Sequence, residues 1–407
     1  MKKILTYGIL LATMACLAFL GAKNHLTAKK FSKLNLPVLQ INTENHKLIK
    51  SKTEYRKAEY KLGDFSGKCK IRGHGNTTWE TRELVKKPYL LKLNEDAPLC
   101  GMPSGKKWIL LANGADKTML RNSYAEHLYT DIWNRGLWHP ESRFVNLVLN
   151  EKYVGMYQLV EKIEMEDDRL GKYCGPDSFL ACSNSRMDKD YNFRTKRGYA
   201  FSIRSPKKDE TIYKAWHHQI QALEDIIFSG LDFTEDKLGK IIDLDSFVDW
   251  FLVNDFSQNH DSKFQASCFI YWNSNNHRFC MGPAWDFDLA FGNVSWHNAE
   301  KTYGHITLSR GWFQKLWENE NFKKAVKKRY FETLPQLKDY REWIKNEFME
   351  YQSSLKLNYR IWWSFGKKKW PHAPGWLKRR NYQAEFEYLV RWLDQRLEWY
   401  TAEMEKI

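Results

Sequence analysis

The pair of carboxylates in residues 281–292, which read MGPAWDFDLAFG, is the feature of this sequence best suited to chemistry. Asp286 and Asp288 are separated by one residue, so on an extended segment both side chains would point to the same side. Two oxygen donors on one side suit Mg²⁺, which prefers carboxylate, water and phosphate ligands. The aromatic neighbours would keep such a site partly dry. The alternative is a surface turn with solvated acids, because Asp-x-Asp is a weak pattern in isolation.

A third acid, Asp261, stands 25 positions before Asp286 in the tripeptide NHD, with a hairpin predicted over 266–282 between them. In protein kinases, a catalytic Asp and a metal-binding Asp bracket a hairpin in a similar way. Asp261 would then accept the proton of a substrate hydroxyl, while Asp286 holds a metal on the triphosphate. Taken alone, Asp261 is better explained as the cap of a helix or turn.

A glycine-containing loop over 72–78, RGHGNTT, could bind phosphate through its backbone N–H groups and the guanidinium of Arg72. Lys92 lies on the strand that follows, where a lysine can pair with nucleotide phosphates. Lys87 and Lys107 are rivals for that role. An ordinary hairpin and a surface lysine are the plainer explanations, and the loop does not match the Walker A pattern. Glu161 could orient a lysine or bind a metal, or form a surface ion pair.

The elements that would position these residues follow from hydrophobic periodicity. Strands are predicted at 37–42, 68–72, 88–93 and 107–113, followed by a hairpin over 143–150 and 153–160. Helices are predicted at 117–133, 212–229, 236–255, 312–332, 335–359 and 376–404. Strands first and helices later predict an α+β fold with two lobes.

Composition sets the class of protein and its partners. The chain has 407 residues, of which 43% are hydrophobic and 18 are Trp, and its net charge of +15 would attract anionic partners. No nucleic-acid-binding motif accompanies that charge. At the N-terminus, two lysines precede an apolar run over 4–22, which is typical of a secretory signal peptide. An uncleaved signal anchor is the alternative.

Six cysteines follow the signal, and an even number in an exported chain permits disulfides. The pairs Cys174–Cys182 and Cys268–Cys280 flank a short loop and the predicted hairpin. They are the bridges that spacing favours, with buried thiols as the alternative.

Several blocks, taken together and in order, resemble the spore coat protein H (CotH) kinase family. The matching blocks are 71–79, 86–93, 101–103, 107–113, 116–122, 155–164, 259–261 and 281–288, and the closing helix over 392–399 also fits. The family commonly carries an Asn a few residues after the catalytic Asp, as a second metal ligand. Residues 265–267 here read QAS.

The resemblance implies an atypical protein kinase-like fold. A strand-rich nucleotide-binding lobe would span 36–205 and a helical lobe with the catalytic and metal-binding segments 206–407, after a signal over 1–22 and a linker over 23–35. It also implies phosphorylation of Ser or Thr hydroxyls with ATP and Mg²⁺ or Mn²⁺. The implied roles are catalysis for Asp261, metal binding for Asp286 and Asp288, and nucleotide contact or support for Arg72, Gly73, Thr77, Lys92, Arg121 and Glu161.

The expected partner is an exported or surface protein, with an acidic protein as one option, and neither nucleic acid nor membrane contact beyond an uncleaved N-terminal segment. The protein itself would be secreted, on the cell surface, or anchored by that segment. Two alternatives stay open. One is a non-catalytic adhesin or glycan-binding protein on a kinase-like scaffold, and the other is a metal-dependent phosphohydrolase.

Overall fold

The computed structural model describes residues 34–188, 191–229 and 238–407. The predicted signal over 1–22 and nearly all of the predicted linker lie outside these residues. The described chain contains both strands and helices, which confirms the α+β class. Across these ranges, every helix is too short or too polar to cross a membrane.

Seven strands form a closed barrel in the order β1-β2-β3-β4-β5-β7-β6. They are β1 (Val38–Thr43), β2 (Arg56–Leu62), β3 (Phe65–Gly73), β4 (Tyr89–Ala97), β5 (Gly105–Leu111), β6 (Ser142–Leu149) and β7 (Lys152–Glu161). β1 pairs with β6 in parallel, and its pairing with β2 is antiparallel. Alternate residues such as Ile71, Leu91, Leu93 and Trp108 fill the barrel, as a period of two requires.

A second, five-stranded sheet has the order β12-β11-β8-β10-β9. Its strands are β8 (Phe179–Asn184), β9 (Tyr191–Arg194), β10 (Ala200–Ser205), β11 (Ala266–Asn273) and β12 (Arg278–Met281). β11 and β12 form the hairpin predicted over 266–282, with Tyr271 opposite Cys280. That prediction is therefore confirmed.

The helices of the described chain are mostly in its second half. They are α1 (Thr77–Glu80), α2 (Arg121–His127), α3 (Glu210–Phe228), α4 (Leu238–Ile241), α5 (Leu244–Phe256), α6 (Trp312–Leu316), α7 (Glu320–Lys338), α8 (Tyr340–Ile361) and α9 (Tyr382–Glu405). α2 continues as a π-helical turn, Leu128–Trp133.

The helix predicted over 236–255 is two helices in the structure. Ile242 forms an isolated bridge with Phe279, which interrupts the helix. Asp243 then caps α5, because its carboxylate accepts a hydrogen bond from the Ser246 N–H at 2.9 Å. α5 then ends at Phe256, five residues before Asp261.

The two predicted disulfides are wrong, because the six cysteines from Cys69 to Cys280 are thiols. Cys280 lies opposite Tyr271, which is three residues along the strand from Cys268. That offset corresponds to about 10 Å and is beyond the reach of a disulfide.

The described chain divides into two compact units that do not follow chain order. The first comprises 34–112, 142–160 and 346–364 and contains the barrel. The second comprises 113–141, 161–345 and 365–407 and contains the five-stranded sheet and most helices, within the ranges that the structure describes. The predicted lobe boundary at residue 205 stays a prediction.

Candidate active site

Three acids of the second unit lie at the ends of adjoining elements. Asp261 is in the 3-10 turn His260–Ser262, which follows α5, and the hairpin β11–β12 begins shortly after it. Asp286 and Asp288 lie in the irregular segment that follows β12. Two loops therefore supply the three carboxylates.

Asn259 connects these two loops. Its side-chain Oδ1 accepts a hydrogen bond from the Asp261 N–H at 3.2 Å, and its Nδ2 donates to the Asp286 carbonyl oxygen at 3.4 Å. The same Nδ2 donates to Oδ1 of Asn254, on the last turn of α5, at 3.0 Å. Asn259 was part of the sequence pattern, but its positioning role could not be inferred there because it depends on contacts across the fold.

Asp286 has an unusual backbone conformation that hydrogen bonds hold in place. Its backbone φ is +70°. Residues other than glycine adopt this left-handed conformation at a cost of about 1–3 kcal/mol. The Ser267 hydroxyl donates to Asp286 Oδ2 at 3.0 Å. The Phe287 N–H donates to Oδ1 of Asn122, a residue of α2, at 2.8 Å. The segment of Asp286 is thus fixed from two sides.

Burial and mutual repulsion dominate the electrostatics of the three acids. Burial raises the pKa of Asp286, and the charge of Asp261 raises it further. The pKa of Asp288 is raised well above its ordinary value by burial, and the charges of Asp286, Asp261 and Asp116 add to that effect. Asp288 is only 8% exposed. Its carboxyl group forms neither a hydrogen bond nor an ion pair within the described residues. A buried carboxylate without a counter-charge is the environment that a bound cation would stabilise.

The acids fit a hydrated magnesium better than a metal enclosed by protein ligands. In the described part of the chain, no three His, Cys, Asp or Glu side chains are arranged around a common metal position. Mg²⁺ usually keeps several waters and binds through one or two carboxylates together with substrate phosphates. Asp286 and Asp288 can supply those carboxylates.

Arg121 and Asp116 form a buried ion pair beside this segment. Both side chains are 1% exposed, and the Asp116 carboxylate also accepts hydrogen bonds from the N–H groups of Thr118 and Arg121 at 2.9 and 2.8 Å. These bonds delay the start of α2 to Arg121, although the pattern predicts a helix from 117. The guanidinium of Arg121 also donates to the Phe291 carbonyl oxygen at 3.4 Å. Arg121 thereby connects α2 to the segment that follows Asp288.

Glu161 is buried in the second unit together with Arg169. Its Oε1 lies 3.2 Å from Arg169 Nη1, and its Oε2 accepts a hydrogen bond from the Glu141 N–H at 2.9 Å. Burial raises the pKa of Glu161 to about 7, against the smaller opposing effects of the Glu141 N–H and Arg169. Glu161 therefore forms a buried ion pair, not the surface ion pair that was one of its predicted alternatives.

The four remaining predicted residues belong to the first unit. Arg72 donates to the carbonyl oxygens of Lys52 and Gly73 and lies over the Tyr55 ring, so its guanidinium holds the loop itself. A Cβ at Gly73 would come within 2.5 Å of the Trp79 ring, so this glycine is required for packing. Thr77 begins α1. Lys92 is exposed on the outer face of β4, between Leu91 and Leu93, which point into the barrel.

A basic group beside Asp261 was missed by the sequence reasoning. His260 Nδ1 lies 3.4 Å from Asp261 Oδ1, and the other ring nitrogen of His260 lies 2.8 Å from His297 Nδ1. Lys263 Nζ lies 3.2 Å from the same His260 nitrogen. His260 and Lys263 are close to Asp261 in the sequence, but the sequence indicated no partner for His260 because His297 is 37 positions away.

These features define an α+β protein with an acidic centre built from two loops of its second unit. A sequence model of the family described as CotH kinase protein matches residues 70–400. The chain therefore belongs to the CotH kinase family, as its motifs predicted. No curated protein matches the chain.

Proposed function

We propose that this protein is an ATP-dependent protein kinase that phosphorylates Ser or Thr hydroxyls of an exported or surface protein. Membership of the CotH kinase family supports a phosphotransferase in general. The observation that carries the proposal is the buried carboxylate of Asp288, next to Asp286 and Asp261, without a counter-charge in the described structure. A cation brought together with a nucleotide would complete that centre.

In this proposal Asp286 and Asp288 hold Mg²⁺ or Mn²⁺. The bound cation would neutralise part of the charge on the nucleotide phosphates. The chain itself contributes rigidity, since Ser267 and Asn122 hold the side chain and backbone around Asp286. Carboxylates fixed before the substrate binds need no reorganisation during the reaction.

Asp261 is the proposed catalytic residue. Its side chain is 20% exposed, so a substrate hydroxyl can reach it, and the Asn259 side chain and the Cys268 thiol hold its backbone. The acceptor oxygen would form a bond to the γ-phosphorus while the bond from that phosphorus to the β–γ bridging oxygen breaks. The hydroxyl proton passes to Asp261, and ADP leaves.

The remaining residues have supporting roles in the proposal. Arg72, Gly73, Thr77 and Lys92 would form the nucleotide-binding part of a two-lobed, kinase-like arrangement. Arg121 would act as a positioning residue through Phe291. Glu161 would support the same unit through Arg169. The N-terminal segment over 4–22 would direct export and, if retained, would anchor the protein to a membrane.

The test is transfer of radiolabelled γ-phosphate from ATP to acidic generic protein acceptors by purified residues 23–407 with Mg²⁺ or Mn²⁺. The parent protein should label the acceptor, and both Asp261→Asn and Asp286→Asn should lose that activity while remaining folded. Labelling that survives in both variants would overturn the assignment. Without labelling and without a nucleotide-dependent thermal shift, a non-catalytic binding protein would be the better description.

A further inference from the structure

Four lysines form one row across the outer surface of the barrel. The strand register places Lys57 opposite Lys70, Lys70 opposite Lys92, and Lys92 opposite Lys107, on strands β2 to β5. Directly paired residues project from the same face of a sheet. That face is the outer one, because the residues next to them in sequence, Ala58, Cys69, Ile71, Leu91, Leu93 and Trp108, belong to the barrel core. Four adjacent strands thus carry four positive charges in line, over about 14 Å.

Three lysines of the row are not paired with other side chains of the described structure. Lys57, Lys70 and Lys92 are exposed, and none of the three has an ion pair or a side-chain hydrogen bond within the described residues. Like charges directly opposite each other on neighbouring strands destabilise a sheet. A single exposed lysine needs only water, but an unbroken row of this kind is stabilised when an anionic partner covers it.

Two adjoining depressions form a groove beside three lysines of the row, Lys57, Lys70 and Lys92. One, of about 850 Å³, is lined by Lys57, Lys68 and Lys70, and also by His46, Glu44 and Glu59. The second, of about 380 Å³, is lined by Lys70, Lys92, Lys106 and Asn94. Lys70 and Asn94 belong to both, so the two depressions are continuous along the row. An extended chain could lie in this groove.

We propose that the lysine row is a docking site for an acidic, Asp- or Glu-rich segment of a polypeptide. This inference rests on the proposed function, because the segment would belong to the protein that is phosphorylated. Charge complementarity identifies the chemistry of the partner. The groove lining contains no Phe, Tyr or Trp among the described residues, so it lacks the stacking surface that single-stranded nucleic acids use.

The experiment is a fluorescence anisotropy titration of the purified protein with a labelled peptide of alternating Glu and Ser. The test variant is Lys57→Gln with Lys70→Gln, which keeps Lys92 because that residue is also a proposed nucleotide contact. The matched control is Lys324→Gln with Lys328→Gln. Both lysines are exposed on α7, and replacing them removes the same total charge as the test variant. The parent should bind the peptide in a salt-dependent manner, and the test variant should bind about tenfold more weakly. The control should change affinity by less than about twofold.

Three results would overturn the docking site: no binding by the parent, equal weakening in both double variants, or equal binding of a peptide with Gln in place of Glu. Stronger binding of single-stranded DNA of equal charge would show that the partner is a nucleic acid and not a polypeptide. The titration needs neither ATP nor catalysis, and Asp261→Asn should bind the peptide as the parent does. Peptide binding without phosphotransfer would therefore contradict only the proposed kinase activity. Phosphotransfer with an unchanged acceptor KM in the test variant would contradict only the docking site.

Discussion

The side-chain amide of Asn259 donates a hydrogen bond to the backbone carbonyl oxygen of Asp286, with nitrogen and oxygen 3.4 Å apart. Because the same side chain accepts from the Asp261 N–H, one residue sets the spacing between the proposed catalytic acid and a proposed metal ligand. Reactions that depend on positioning are sensitive to such spacing, and a displacement of about 1 Å can cost a hundredfold in rate.

Asn259→Ala should therefore lower kcat by roughly tenfold or more, with a much smaller change in the KM for ATP. The matched control is Asn381→Ala, which removes the hydrogen bond from the Ala384 N–H at the start of α9. That variant should lose about 1 kcal/mol of stability with kcat unchanged. Equal losses of kcat in the two variants would show that Asn259 acts only through stability.

The variant Asp288→Asn distinguishes the effect of Asp288 on protein stability from its proposed role in cation binding. Without divalent metal, the variant should melt about 2 °C or more above the parent, because the buried Asp288 carboxyl must either stay charged without a partner in the described structure or take up a proton on folding. With Mg²⁺ and ATP, the parent should gain thermal stability and the variant should gain little. A metal-dependent shift of equal size in both proteins would exclude Asp288 as a ligand.

The buried ion pair Arg121–Asp116 should make a large contribution to the stability of the fold. Asp116→Asn leaves the Arg121 guanidinium buried without a counter-ion, which typically costs about 3–5 kcal/mol. Chemical denaturation measures this loss. Asp225→Asn is the control, since it breaks an exposed pair with Lys196 and should cost less than about 1 kcal/mol. Similar losses in both variants would contradict the structural role assigned to Arg121.

Ionisation of the Glu161 carboxyl should lower the free energy of unfolding as pH rises. Its pKa is about 7 in the folded protein and 4.5 ordinarily, so between these values the folded state binds more protons than the unfolded state. The free energy of unfolding should then decrease from about pH 5 to about pH 8, by up to about 3 kcal/mol relative to Glu161→Gln. Denaturant titrations across this range test the difference in slope. Parallel pH profiles for the two proteins would mean that the Glu161 carboxyl ionises normally.

The sequence allowed the strands with clear alternation to be predicted. Barrel strands such as β4 follow from apolar residues at every second position, whereas the turn residues over 273–276 predict the hairpin β11–β12. β2 was missed because one of its inward residues is the small Ala58, which weakens the alternating signal. β8 was missed for the opposite reason, since all six of its residues are buried and none alternates with a polar exposed position.

The acids of the site were accessible to sequence reasoning, but their supports were not. Asp261, Asp286 and Asp288 stand out through short-range patterns and the family resemblance. The bond between Asn122 and the Phe287 N–H joins residues 165 positions apart, and the contact of Ser267 with Asp286 depends on how the hairpin folds back. Such contacts are set by tertiary packing, which single-sequence patterns do not contain.

The most direct test of the account is the fate of the γ-phosphate when ATP, Mg²⁺ and a Ser- and Thr-containing acceptor protein are incubated with residues 23–407. Label should accumulate on acceptor hydroxyls in proportion to the ADP formed, and Asp261→Asn should abolish that transfer while retaining the nucleotide-dependent thermal shift. Release of the label as inorganic phosphate, with the acceptor unlabelled, would contradict the kinase account and identify a phosphohydrolase.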